Sequence, residues 1–207
     1  MKLNVICVNV GNKYSNQYVE NLYNMVKRNL TFDFTFWCIT DRQQSPHINT
    51  LLPPAGIKSW WNKLWMFSKD ANLVGTNLYF DLDVVICGSL DKFVKFDGDF
   101  CILQDFNRAF HPTYQVYNSS IMRWSNDYHS MWDEFSINPK FWQEKYHGDQ
   151  DWITRKIPNA QFWPKDWAIS WKWEYPKELT NDTSVLVFHG NPKPHEIDHE
   201  LIRNHWK

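Results

Sequence analysis

The chain opens with a continuous apolar run, LNVICVNV (3–10), ended by Gly11, which reads as a strand buried on both faces. Tyr18, Leu22, Met25 and Val26 then recur at helical spacing. Ser15 stands where a cap is wanted, so a helix is expected from there to about Leu30. FTFWCIT (34–40) reads as a second strand, and Pro46, Pro53 and Pro54 mark the following stretch as loop. WWNKLWMFSK (60–69) is predicted helical, with Trp61, Leu64, Trp65 and Phe67 available for packing. NLYFDLDVVI (77–86) is expected as one central strand, SLDKFVKF (89–96) as a short helical return and FCILQDF (100–106) as another strand.

VYNSSIMRW (116–124) begins a second group of elements. Helices are expected around 126–135 and 149–157, a late strand at 184–190 (SVLVFHG), and a C-terminal helix from Pro194. Strands and helices alternate through the first hundred residues, which argues for an α/β sheet, mostly parallel, with crossover helices. Ligands of such sheets bind beyond the carboxyl ends of the strands. No repeat or low-complexity linker interrupts the pattern, and 207 residues suit one domain.

Composition narrows the function classes. A net charge of −1 gives no basic footprint, so bulk nucleic-acid binding is not expected. Cys7, Cys38, Cys87 and Cys101 are widely spaced with no CxxC pair, which disfavours zinc and suggests reduced thiols in a cytoplasmic compartment. The N-terminal apolar run is too short for a signal peptide, and no stretch approaches the length of a membrane span. Thirteen Trp is unusual. Many must be core, and some are expected as platforms, because sugars and bases both stack on aromatic faces.

Four short constellations carry candidate chemistry. In YFDLDVVI, Asp81 and Asp83 would leave a strand on one face with Leu82 turned into the core. Two such carboxylates repel unless a cation lies between them, and Mg²⁺ or Mn²⁺ is the usual partner of a hard oxygen pair. Asp149, Gln150 and Asp151 open a predicted helix, where an acid is also a common cap. His189 and Gly190 end the late strand before a Pro-bounded loop bearing Lys193, a point charge suited to phosphate. Lys63 lies among aromatic residues ahead of the central strand, where a solvated helix face is the plain alternative.

In their order along the chain, these motifs resemble the family 8 glycosyltransferases, the glycogenin and lipopolysaccharide-galactosyltransferase group, over about residues 3–195. The resemblance implies a GT-A-type, Rossmann-like mixed sheet, mostly parallel and flanked by helices, with a small acceptor-side subdomain. It places a nucleotide-binding half at about 1–105 and a sugar and acceptor half at about 106–207. VNVGNKY would supply Tyr14 to stack on the base, with Asn9, where the family usually has an acid, and Val10 at the base edge. Lys63 fits the family's basic residue ahead of the metal strand. YFDLDVVICGSL matches YLDADVVV…DL, with Asp81 and Asp83 as the DxD metal pair and Leu82 beside the donor. YNSSIM matches FNSGVM, with Asn118 and Ser119 near the transferred sugar, and Asp149-Gln150-Asp151 matches DQD. Gly190 to Lys193-Pro194 matches the closing glycine-to-lysine element. The family's metal-binding His, three residues before that glycine, is Val187 here, leaving His189 as the nearby candidate ligand.

The resemblance implies a hexosyltransferase that moves sugar from a nucleotide-diphosphate donor, UDP by analogy, to a carbohydrate acceptor with retention, aided by Mn²⁺ or Mg²⁺. WPKDWAISWKWEY (163–175) is the expected acceptor wall, through Trp163, Trp167, Trp171, Lys172 and Trp173. Three rivals share parts of the pattern. FDLDVVI suits a haloacid-dehalogenase-type phosphatase, but Val84 replaces the glycine expected there. A sugar-1-phosphate nucleotidyltransferase would need a glycine-rich N-terminal loop, which VNVGNKYSN lacks. A carbohydrate-binding or inactive relative would bind sugar without releasing nucleotide.

Overall fold

A computed structural model describes residues 2–207. The elements run β1 (Leu3–Asn9), α1 (Asn16–Asn29), β2 (Thr35–Thr40), β3 (Asn49–Leu51), β4 (Thr76–Phe80), β5 (Val84–Ile86), α2 (Asp91–Lys95), β6 (Phe100–Gln104) and β7 (Tyr117–Trp124). The second group continues with α3 (His129–Ile137), α4 (Pro139–Lys145), α5 (Asp149–Lys156), β8 (Gln161–Phe162), β9 (Ala168–Ser170), β10 (Val185–Val187) and α6 (Glu200–His205). Seven strands form one sheet in the order β3-β2-β1-β4-β7-β6-β8, and β5-β10-β9 form a second, small sheet. In the large sheet β7 is antiparallel to both neighbours, and the other pairs are parallel. The expected mixed, mostly parallel α/β sheet is therefore present, and β7 carries second-half residues into the sheet between β4 and β6.

The two faces of β1 explain its unbroken apolar run. Leu3, Val5 and Cys7 pack with Leu22, Met25 and Val26 of α1 on one side. Ile6 packs on the other with Trp61, Leu64, Phe67 and Tyr79. A strand covered on both faces has no reason to alternate. All four cysteines are free, and three are buried, as the apolar context of each predicts.

Several expectations need correction. The stretch Asn77–Ile86 is not one strand: β4 ends at Phe80, the chain turns through Asp81–Asp83, and β5 joins the other sheet against β10. The Asp81 amide still donates to the Ser120 carbonyl at 2.8 Å, and Leu82 is buried at the turn. Apolar residues on both sides made the break invisible, because each half is buried in its own sheet. Residues Ser59–Phe67 form a 3₁₀ segment instead of an α-helix. Ser15 occupies the N-cap position of α1, but its side chain makes no capping hydrogen bond. The short strands β3, β8 and β9 and helix α4 are additions that the sequence pattern does not predict. No helix among the described residues is long and apolar enough to cross a membrane.

Candidate active site

The parallel strands β1 and β4 end side by side, and the loops leaving them open into a cavity of about 590 Å³. This is where an α/β sheet binds ligands, and the volume suits a small organic molecule. Asn9, Val10 and Tyr14 line it from the first loop, Asp81, Leu82 and Asp83 from the β4–β5 turn, and Asn118 from β7. Asp149, Gln150 and Asp151 enter from the start of α5, and His189, Gly190 and Lys193 from the loop after β10. Residues scattered over the whole chain thus converge on one wall.

Lys63 is the buried hub. Its Nζ lies 2.8 Å from Asp81 Oδ1 and 3.3 Å from Asp149 Oδ2, and it donates to Ser119 Oγ at 3.0 Å. Burial pulls the ammonium pKa down, but Asp149 and Asp81 more than offset this and hold it above its ordinary value. Burial pushes Asp81 up, yet Lys63 and the Tyr79 hydroxyl, donating to Asp81 Oδ1 at 2.6 Å, bring it below the usual carboxylate range. For Asp149 burial prevails, and its carboxyl is raised despite Lys63 and the Ser119 hydroxyl that donates to it at 2.6 Å.

Asp83 has different partners. The Tyr14 hydroxyl donates to Asp83 Oδ2 at 2.8 Å, and the Lys193 ammonium pairs with the same oxygen. Lys193 also donates to the Phe188 carbonyl at 3.3 Å. Lys13, which sequence reasoning passed over, lines the cavity 4.9 Å from the Tyr14 ring centroid. Burial and then neighbouring Lys193 lower its pKa.

The three residues opening α5 divide their roles. Asp149 is almost fully buried in the Lys63 cluster. Gln150 Oε1 accepts from the Ser119 amide at 3.2 Å, so Ser119 is a buried strut behind the wall. Asp151 Oδ2 accepts from the His147 amide at 2.9 Å, tying the chain just ahead of α5 to its first turn without capping the helix.

His189 lines the same cavity, its Nε2 within 2.6 Å of Ser170 Oγ and its ring stacked on Phe106. Burial lowers its pKa to about 4, leaving a neutral imidazole at ordinary pH. Among the described residues no three His, Cys, Asp or Glu side chains gather as a metal cluster. Val187 is fully buried within β10. The tryptophans of 163–175 are not on the cavity wall. Trp163 is buried against Phe93, Trp167 packs on Phe93 and Phe96, and Trp171 stacks on Tyr175 and Phe188. Trp173 meets His189 edge-on, and Lys172 is exposed beside it. The wall instead includes Trp60, Tyr114, His147 and Gly148. Of these only Trp60 offered a signal in the sequence, as an aromatic beside Lys63.

No known protein-family profile matches this sequence, and no curated protein matches it. Solved structures do. A galactosyltransferase LgtC in complex with donor and acceptor sugar analogues superposes with a TM-score of 0.64 at 14% identity, covering 92% of this chain and 88% of that one. An active-site mutant of LgtC gives a TM-score of 0.67 at 11% identity, over 92% of this chain and 89% of that one. The glycosyltransferase GlyE of Streptococcus pneumoniae gives 0.65 at 12% identity, over 93% of this chain but only 56% of GlyE. The chain has the fold of these glycosyltransferases.

Proposed function

We propose that the protein is a glycosyltransferase that moves a hexose from a nucleotide-diphosphate sugar, UDP by analogy, to a carbohydrate acceptor with retention at the anomeric carbon. The observation that carries this reading is the convergence of Asp81, Asp83, Lys63, Asp149 and Lys193 on one cavity at the strand ends. What supports a divalent cation here is that two hard carboxylates face the same cavity and that the Lys193 ammonium already stands as a cation on Asp83. Asp81 and Asp83 would hold the ion, with the neutral His189 ring as a further candidate. When bound it would act as a Lewis acid on the leaving diphosphate.

The chain's own residues do the rest. Lys193 and Lys13 face the cavity where the diphosphate gains charge as its bond to the sugar breaks, and fixed cations there lower the barrier. The anomeric carbon becomes oxocarbenium-like, and the wall formed by Asp149, Gln150 and Asp151 is its electrostatic partner. Lys63 keeps Asp149 and Asp81 from repelling one another and fixes both. The acceptor oxygen forms the new bond on the face from which the phosphate leaves. Its proton passes to that phosphate oxygen, so no strong general base is required.

The test is a thermal-shift screen of nucleotide sugars with and without Mn²⁺, followed by assay of nucleotide release. A metal-dependent stabilisation by one nucleotide sugar, with release of its nucleotide, is expected. Sugar binding that needs no nucleotide and releases none would replace the transferase reading with a lectin-like one.

A further inference from the structure

Trp60 and Trp61 are adjacent and identical in type, yet the fold uses them oppositely. Trp61 is 4% exposed and stacks on Phe135 with ring centroids 5.3 Å apart. Trp60 is 48% exposed and lines the cavity. Of the exposed large hydrophobic side chains among the described residues, Trp60 alone does so. A single exposed aromatic is ordinary on a protein surface. This one is held in place. Its indole N–H donates to the His147 carbonyl at 3.3 Å. Gly148 beneath it has extended backbone that any residue adopts, but a Cβ there would lie 2.7 Å from Trp60 Nε1. The preceding turn is clamped as well: Asn62 Nδ2 donates to the carbonyls of Ile57 and Ser59, and Gln143 Oε1 accepts from the Lys58 amide. Ser59, at φ 49°, carries the strain of this turn.

We propose that Trp60 is the platform on which the acceptor sugar stacks, entering over the Trp60–His147 rim and not along 163–175. This rests on the glycosyltransferase reading for the identity of the site and adds the acceptor side to it. The π face of a tryptophan is negative and attracts the polarised C–H bonds of a sugar ring, and a pre-held ring loses little entropy on binding. Gly148 joins the platform directly to Asp149, so a sugar on Trp60 lies beside the wall assigned to the reacting carbon.

Two measurements test this. Nucleotide release from UDP-hexoses is followed as a panel of methyl hexosides and disaccharides is titrated in. Trp60→Ala is expected to raise the saccharide KM about tenfold, with a smaller change in the donor KM, while Trp60→Phe recovers most of the loss. Phe141→Ala, an exposed aromatic away from the cavity, serves as control and should leave the saccharide KM unchanged. An unchanged saccharide KM in Trp60→Ala overturns the inference. Independently, the protein is labelled with 5-fluorotryptophan, and the ¹⁹F resonance missing from Trp60→Phe is that of Trp60. Saccharides of the panel should shift it without any donor present, and Gly148→Ala should displace it and weaken the response. A Trp60 resonance that no saccharide moves overturns the platform. A shift in a protein that releases nucleotide from no donor keeps the sugar site and removes the transferase reading.

Discussion

Lys63→Met keeps most of the side chain's length and removes its charge, so it isolates the electrostatic role of the hub. Lys63 and Asp149 are 7% and 3% exposed, and the ion-pair distances are 2.8 and 3.3 Å. At an effective dielectric near 20, each contact is worth about 5–6 kcal/mol of gross attraction. Desolvation of the three charges offsets much of that, and removing one partner of a buried pair costs about 3–5 kcal/mol net. For a chain of this size, that lowers the melting temperature by about 2–4 °C for each kcal/mol. The loss should depend on pH. Without its cation, the already raised Asp149 carboxyl moves further above its unfolded value. A group raised on folding costs nothing below the unfolded pKa, about 4, and costs progressively more as pH rises through the folded pKa. The variant should therefore be closer to wild type at pH 5 than at pH 8. Urea melts at both pH values in EDTA buffer measure this. Wild-type stability at both would refute the claim that Lys63 compensates the buried Asp149 and the partly buried Asp81.

The remaining predictions concern single side chains. Asp83→Asn keeps the size of a group shared by Tyr14 and Lys193 but removes its charge, so Mn²⁺-dependent nucleotide stabilisation should vanish while the fold persists; a retained metal-dependent thermal shift would sink the DxD assignment. Lys193→Ala should lower kcat by roughly 10²-fold through lost stabilisation of the leaving diphosphate, read by nucleotide release, and an unchanged rate would place Lys193 outside the chemistry. Asp149→Asn should cost orders of magnitude in rate, whereas Asp151→Asn, still able to accept from the His147 amide, should keep its melting temperature; equal rates for both variants and wild type would reduce the stretch to a helix start. Gly75→Ala places a Cβ 2.4 Å from the Lys2 carbonyl at φ +107°, and should destabilise by about 1–3 kcal/mol in urea while leaving donor binding intact.

Hydrophobic pattern alone located β1, α1, β2 and β6, because α1 keeps a helical period and each of the three strands is an apolar run bounded by polar or turn residues. It missed the end of β4, where the Asp81-Leu82-Asp83 alternation, flanked by apolar residues buried in two different sheets, imitates a continuing strand. It also could not separate α-helical from 3₁₀ winding over 59–67, since Trp61 has apolar partners at both i+3 (Leu64) and i+4 (Trp65). Motif order brought most of the candidate residues to one cavity, but not their burial. Nothing in the sequence distinguishes Asp149, fixed beneath Lys63, from Asp151, which accepts from a neighbouring amide. The tryptophans show the same limit. A run of four in 163–175 looked like a platform and packs largely against core, while the exposed ring on the wall is one of an adjacent pair whose partner is buried.

The charges of the cavity distinguish fixed from exchangeable groups. Three lysines and four aspartates line it. Lys63 bridges two carboxylates and a hydroxyl in a fully packed setting, so releasing it would strand both acids. Lys193 lies in a loop and holds a single carboxylate, and Lys13 has no carboxylate at ion-pair distance among the described residues. The pKa of Lys13 is lowered by burial and by Lys193, a penalty that an anion placed between the two ammonium groups would reverse. In the proposed reaction, the diphosphate is that anion. Lys193 would trade Asp83 for phosphate oxygens, freeing the carboxylate for the divalent ion as the donor arrives. On this proposal metal and donor would bind together, because each would remove the charge that makes the other unfavourable, while Lys63, held by two carboxylates, would stay in place.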